Sequence, residues 1–345
     1  MTGIEVRDSD PRWLPSLYFG RDYGNAYLQE GEGDRWISLS SSTGDWQMPL
    51  FLRRLENDVF DACSPYGYSG LYVAKSVDPI QSLAHWTEAR RLLRGLGVVS
   101  LFLRMSPFLD QGLSKIQTMP GLDVRAVSET VLVPVADIKA TWAGMKGRAR
   151  TAIRKAERSG FTGAVHPTVE ASLSAGASFR RLYEQTMHRV EAGEQYIYSD
   201  AYYEALRSGL DGTVQEVVVK DQYEVAVASA LLLVDNECGH YHLSGSNPQA
   251  ARDGANNLLI WTILQWCHDH GKTAVHLGGG LKSGDNLFRF KASFGGQTLP
   301  FFTGRSIVQP VKYADLVSHQ ARRLDVSELE LANQDFFPAY RAVVQ

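Results

Sequence analysis

Hydrophobic positions change their period several times along the chain. Short β-like runs open it, Arg35 to Leu39 and Leu71 to Ala74. From there Leu83, Trp86, Leu92, Leu93 and Leu96 recur at helical spacing and stop at Gly97, which predicts a helix over 83–96. Val98 to Leu103 and Thr130 to Val135 are β-branched and aromatic, and predict buried strands. Lys139 to Gly160 is the most distinctive stretch. Trp142, Met145, Ala149, Ala152 and Ala156 step by three and four into one apolar stripe. Lys146, Arg150, Arg154 and Arg158 step by four beside it, and Gly160 supplies a C-cap, so the spacing predicts one helix over 139–160. Ser178 to Leu206 is helical again, broken by Gly193 and a tyrosine-rich link.

Beyond residue 210 the period drops to that of strands. Val214 to Val219, Val225 to Val234 and Cys238 to Ser244 are separated by short polar turns, the spacing of an antiparallel meander. A polar loop, Gly245 to Gly254, precedes a helix from about Asn256 to His270 that is apolar nearly all round and therefore buried. Ala274 to Leu277 predicts a strand, Gly278 to Gly280 a glycine turn, Leu287 to Phe294 a short helix and Thr298 to Phe302 a strand. There is no exact repeat. Strands followed by helix and strand also occur in 35–135, which points to two structurally related halves.

Composition narrows the classes. The chain has 345 residues, 44% hydrophobic and 21% charged, the make-up of a soluble globular protein of about two domains. With 35 Lys and Arg against 38 Asp and Glu, the net charge is −3, so a polyanion would have to meet a local basic patch. Cys63, Cys238 and Cys267 are too few and too scattered for a disulfide framework or a zinc finger. Residues 1–13 are polar, with no apolar signal core. The most apolar run, Leu258 to Cys267, falls well short of the ~20 residues that span a bilayer. The expectation is a cytoplasmic protein with no membrane span and no DNA partner.

Six short motifs come in a telling order. They are Ser64-Pro65-Tyr66-Gly67-Tyr68, Arg150-x-x-x-Arg154-Lys155-Ala156-Glu157 and Leu182-Tyr183-x-x-Thr186-Met187-x-Arg189. Then follow Tyr241-His242-Leu243-Ser244-Gly245-Ser246, His276-Leu277-Gly278-Gly279-Gly280 and Phe290-Lys291-x-x-Phe294. Together, over about residues 60–305, they resemble the FemAB-like branch of the GNAT acyltransferase superfamily. The meander followed by one central helix and a further strand is likewise the layout of that fold. The resemblance implies an α/β architecture of two GNAT-like domains, each a mostly antiparallel mixed sheet flanked by helices, with a cleft between them. The expected domains are 1–138, with 306–345 packing back on it, and 139–305, which carries the transferase motifs. The long charged coiled-coil arm of some cell-wall members of the branch is absent from this sequence.

The chemistry implied is amide formation, in which an aminoacyl group passes from aminoacyl-tRNA to an amine acceptor. Such a reaction needs a positioned amine, a route for its proton and a stabilised oxyanion, with no covalent intermediate. No nucleophile signature is present: G-x-S-x-G is missing, and in the P-loop-like run from Gly279 the position of a required glycine is Leu281. The resemblance gives Lys291 the role of stabilising developing charge and places Phe290 against the donor's terminal adenosine. The plain alternative for Lys291 is a lysine lying over an apolar helix.

In 139–160, seven Lys or Arg face one acid, Glu157. Arg150, Arg154, Lys155 and Arg158 are therefore candidates for donor phosphates, with a solvated face as the alternative. Arg189 could grip an anionic acceptor in a bidentate fork, walled by Tyr196 and joined by Tyr66 and Tyr68; these tyrosines could equally fill an interface. His240 and His242 share a strand face but lack further metal ligands, so no metal is expected, and His242 is a candidate proton acceptor. Acyl-CoA enzymes of the superfamily usually place a Q/R-x-x-G-x-G/A loop before the central helix. Here the loop reads Ala251-Arg252-Asp253-Gly254-Ala255-Asn256-Asn257, with altered spacing and an added negative charge, so tRNA is the expected donor, Asn256 a donor contact, and no bound cofactor is expected. Acyl-CoA as donor and a non-catalytic peptide-binding module are the alternatives.

Overall fold

The structure is a computed structural model that describes residues 3–56, 58–282 and 284–343. The chain forms two compact units, one of residues 1–127 with 301–345 and one of residues 128–300.

The first unit holds β1 (Ile4–Arg7), β2 (Arg35–Ser41), β3 (Trp46–Arg54), β4 (Phe60–Cys63), β5 (Tyr72–Val73) and β6 (Val98–Arg104). β1, β2, β3 and β4 pair antiparallel in that order, and β5 adds to β3. β6 then pairs parallel with β4, Phe60 opposite Val98 and Cys63 opposite Phe102. A parallel neighbour needs a crossover, and the helix Pro79–Gly95 provides it. That helix starts four residues before its first periodic Leu, because Asp78 caps the amides of Ile80 and Gln81 and Pro79 sits at the first turn. Its Trp86, Ala89 and Leu93 pack on Leu39, Leu50, Leu101 and Leu103. All of Trp46 to Leu52 in β3 is buried, so the strand shows no alternation to mark it.

The second unit holds β7 (Asp123–Pro134), β8 (Thr162–Pro167), β9 (Val214–Lys220), β10 (Ala226–Val234), β11 (Cys238–Ser246) and β12 (Ala274–Gly279). Their order is β7-β12-β11-β10-β9-β8, all antiparallel except β11 beside β12. The helix Ala255–Asp269 joins that parallel pair. Leu258, Ile260, Ile263, Leu264 and Cys267 bury it against Val217, Ala230, Leu232 and Val275. Each unit is thus an antiparallel run ending in one parallel pair spanned by one long helix.

The last strand, β13 (Gln297–Ile307), leaves the second unit and lies antiparallel on β6, Thr303 opposite Arg104 and Ile307 opposite Ser100. β7, which follows β6 in the chain, pairs instead with β12. The two units therefore exchange their closing strands. The division between the two units falls at 127/128 and 300/301.

Two local readings are corrected. The basic stretch is two helices, Ile138–Gly144 and Gly147–Arg158, not one. Met145 and Lys146 are extended, the Lys146 amide donates to the Ser293 carbonyl at 2.9 Å, and Gly295, at φ 81°, backs onto Gly144. A contact from 150 residues away outweighs the local helical period here. Gly278 and Gly279 are not a free turn but the end of β12, where the register slips past His276 and Gly278 takes φ 71°.

Candidate functional site

β11 and β12 pair only from Cys238–His240 to Ala274–His276. Beyond that, β11 stays with β10 up to Ser246 and β12 stays with β7 up to Gly279. The parallel strands therefore part at their carboxyl ends and leave a fork.

Lys291 fills this fork. It closes the short helix Asn286–Lys291, whose start is fixed by the Asp285 carboxylate accepting from the Phe288 amide at 2.7 Å. Its side chain is buried at 8% exposure. Nζ donates to the Gly279 carbonyl of β12 at 2.7 Å and stands 5.8 Å from the centre of the Tyr241 ring of β11. One ammonium thus touches both prongs. Burial pushes its pKa down to about 8, against the pull of Asp285. At neutral pH it is a desolvated cation, the state in which a charge acts most strongly on a reacting oxygen. Tyr241, part of a sequence motif but given no role there, donates to Ser244 Oγ at 2.5 Å and is itself pushed up to about 12 by burial. Phe290 lies edge-to-face with Phe294, ring centres 5.4 Å apart, and packs on the core.

His242 follows Tyr241 on β11 and so faces the other way. Its Nε2 lies 2.8 Å from the Tyr202 hydroxyl, and burial, with His240 nearby, lowers its pKa to about 3. It is neutral at working pH. His240 pairs with Asp235 at 3.0 Å.

The basic candidates divide in two. Arg150 turns inward and caps the preceding helix, its Nη1 donating to the carbonyls of Trp142 at 3.3 Å, Ala143 at 3.0 Å and Met145. Lys155 pairs with Asp253 at 2.9 Å and donates to the Arg252 carbonyl at 3.1 Å. These two are structural ties. Arg154, stacked 5.3 Å over Trp142, and Arg158 are on the exposed side. The Lys155–Asp253 tie sits just before the helix Ala255–Asp269. There Gly254 takes φ 95° and a side chain would run into the Ala152 carbonyl. Asn256 is half-buried in the first turn of that helix.

Of the acceptor candidates, Arg189 and Tyr196 belong to the second unit. Arg189 Nη1 donates to the Ser246 carbonyl at 3.2 Å and Nη2 to Thr186 Oγ1 at 3.3 Å, which anchors it at the end of β11. The Tyr196 carbonyl accepts from the Tyr183 hydroxyl at 2.7 Å. Tyr66 and Tyr68 belong to the first unit. Tyr66 takes the Tyr23 hydroxyl on its carbonyl at 3.0 Å, and Tyr68 lies edge-to-face with Tyr18, Phe108 and Phe301.

Residues 145–291 match the family model of an acetyltransferase (GNAT) domain. No curated protein matches the sequence. Among solved structures, FemX is similar at 14% identity with a TM-score of 0.66, over 86% of this chain and 93% of FemX. L-PGS from Bacillus licheniformis is similar at 14% identity with a TM-score of 0.55, over 86% of this chain and 88% of L-PGS. At these identities the structural likeness establishes the fold. Among the described residues, no helix is long and apolar enough to cross a membrane.

Proposed function

We propose that this chain, whose residues 145–291 match the model of an acetyltransferase (GNAT) domain, acts as an acyltransferase of the FemAB-like kind and transfers an aminoacyl group from aminoacyl-tRNA to an amine acceptor. The amine nitrogen attacks the ester carbonyl carbon, the bond from that carbon to the ribose oxygen breaks, and the ribose oxygen leaves as a hydroxyl carrying a proton. The observation that carries the reading is the buried Lys291 ammonium at the fork of β11 and β12. In this reading its charge stabilises the negative charge that develops on the carbonyl or leaving oxygen.

The tRNA donor draws on two further features. Arg154 and Arg158 leave a cationic face outward. The positive end of the helix Ala255–Asp269 already has a carboxylate beside it, Asp253 held by Lys155, which disfavours a second anion such as the pyrophosphate of acyl-CoA. Arg189, with Tyr196, is the acceptor contact in this unit.

The test is purification with and without RNase, identification of co-purifying RNA or CoA, and a transfer assay with labelled aminoacyl-tRNA and an amine panel. Retention of RNA and transfer of label support the reading. Stoichiometric acyl-CoA with no tRNA affinity overturns it and supports the acyl-CoA alternative.

A further inference from the structure

The first unit has a counterpart to the parallel pair of β11 and β12. β4 and β6 are its parallel pair, and the carboxyl ends of such strands are where sheets of this type receive ligands. The strands do not open here as β11 and β12 do. The Ser64 amide donates to the Phe102 carbonyl at 2.9 Å, and the Arg104 amide donates to Ser64 Oγ at 2.9 Å. What stands at this mouth is the Arg104 guanidinium.

Its surroundings hold it still without neutralising it. Nη1 donates to the Ser64 carbonyl at 3.1 Å. The guanidinium carbon lies 5.1 Å from the Phe102 ring centre and 5.7 Å from that of Tyr66. The loop bearing Tyr66 is itself pinned: Tyr23 donates to the Tyr66 carbonyl at 3.0 Å, Ser69 to the Pro65 carbonyl at 3.2 Å, and Gly70 backs onto the Arg104 carbonyl. Several other part-buried arginines of this unit have carboxylate partners, whereas Arg90 is held by the Pro120 and Ile307 carbonyls. Arg53 and Arg341 share Asp61, and Arg305 has Asp335. Among the described residues Arg104 is in no ion pair, although it is half-buried.

We propose that Arg104, framed by Ser64, Phe102 and Tyr66 at the carboxyl ends of β4 and β6, is a binding site for an oxyanion, the carboxylate or phosphate group of a small-molecule ligand. A guanidinium carries its charge at every working pH, and a partly desolvated charge without a counterion is costly. Held by the Ser64 carbonyl and two aromatic rings, the guanidinium keeps further N–H donors for a two-point contact with one carboxylate or phosphate. That the ligand is the acyl acceptor rests on the acyltransferase reading; the anion site itself does not.

The experiment titrates the wild-type protein with inorganic phosphate and, separately, with acetate, following the Arg104 Nε–Hε resonance assigned by its loss in Arg104→Lys. A saturable shift with phosphate alone identifies a phosphate site, and with acetate alone a carboxylate site. Arg104→Lys, followed in both proteins on the Ser64 and Phe102 amide resonances, should weaken binding by about tenfold, because the ammonium keeps the charge and loses the fork. Protection of Arg104 from phenylglyoxal by the same anions, read by peptide mass on the wild type, decides the matter if the variant does not fold. No saturable shift and no protection with either anion overturns the proposal, as does an Arg104→Lys variant that binds as tightly. None of these readouts involves acyl transfer, so a failure here leaves the acyltransferase reading standing, and absent transferase activity leaves the anion site standing.

Discussion

Lys291→Met deletes the charge at the β11–β12 fork and keeps the length and apolar stem. Its effect on stability follows from the burial of the ammonium. The ordinary lysine value of 10.5 falls to about 8 in the folded chain. At about 1.4 kcal/mol per pH unit, holding the proton in the fold costs roughly 3 kcal/mol. Below pH 8 both folded and unfolded chains carry this proton, and the folded state bears the cost. Between about pH 8 and 10.5 the folded chain has released it and the unfolded chain has not, so stability rises with pH across that window. The Met variant should lose this rise. Below pH 8 it recovers roughly 3 kcal/mol, less about 1–3 kcal/mol for leaving the Gly279 carbonyl without its donor, so it should be as stable as the wild type or slightly more so.

Activity should move the other way. Removing one oxyanion donor lowers the rate constant by about 10²–10³. Substrate binding should change little, because the interaction strengthens only in the transition state. In the wild type the rate should fall above about pH 8, as the working ammonium is lost. Single-turnover transfer and urea unfolding across pH measure both sides. A near-normal rate in Lys291→Met, or a wild-type rate that climbs through pH 8 as a base would make it, refutes the assignment.

Arg154→Ala with Arg158→Ala should weaken tRNA binding and reduce the log–log salt slope by about two, whereas Arg150→Ala and Lys155→Ala should chiefly lower the melting temperature; equal effects of all four on the slope would contradict the division drawn from their contacts. Asp253→Asn should raise CoA affinity by removing a negative charge at the helix start, and calorimetry showing no gain would detach Asp253 from donor choice. His242→Gln should leave the shape of the rate profile between about pH 5 and 8 unchanged. Wild-type stability, by contrast, should drop as pH falls from 6.5 towards 3, where the unfolded chain binds a proton that the buried imidazole refuses; a kinetic inflection lost in the Gln variant would show His242 titrating at work.

The parts of the fold written in local periodicity were readable. The meander of β9, β10 and β11 follows from strand runs cut by polar turns, and the central helix from apolar residues on all its sides. The parts dictated from far along the chain were not. Nothing near Met145 announces that Ser293 and Gly295 will break a helix there. β3 escapes because both its faces are buried, and β1, β4 and β8 because runs of four to six residues hold too little pattern. The same limit applies to side chains. Arg150 and Arg154 have identical spacing, yet only contacts distinguish a helix cap from an exposed cation. Lys291 is a candidate through its motif, while the contacts of Tyr241 and Arg104 lie with partners that no spacing reveals. The available hint for Arg104 was an arginine ending the apolar run Val98–Leu103.

The exchange of closing strands gives synthesis of the chain a direction. The second unit, ending at residue 300, has all of its residues before the first has its own. While residues 128–300 are being made, β6 waits with an open edge, and β7, the next strand to emerge, is a ready but wrong partner for it. At about 5–20 residues per second, that edge stays bare for roughly ten to forty seconds before β13 arrives. The apparently older half of the protein on the ribosome is therefore the younger in folding. A nascent chain released or stalled between residues 134 and 297 carries an unsealed sheet that invites aggregation.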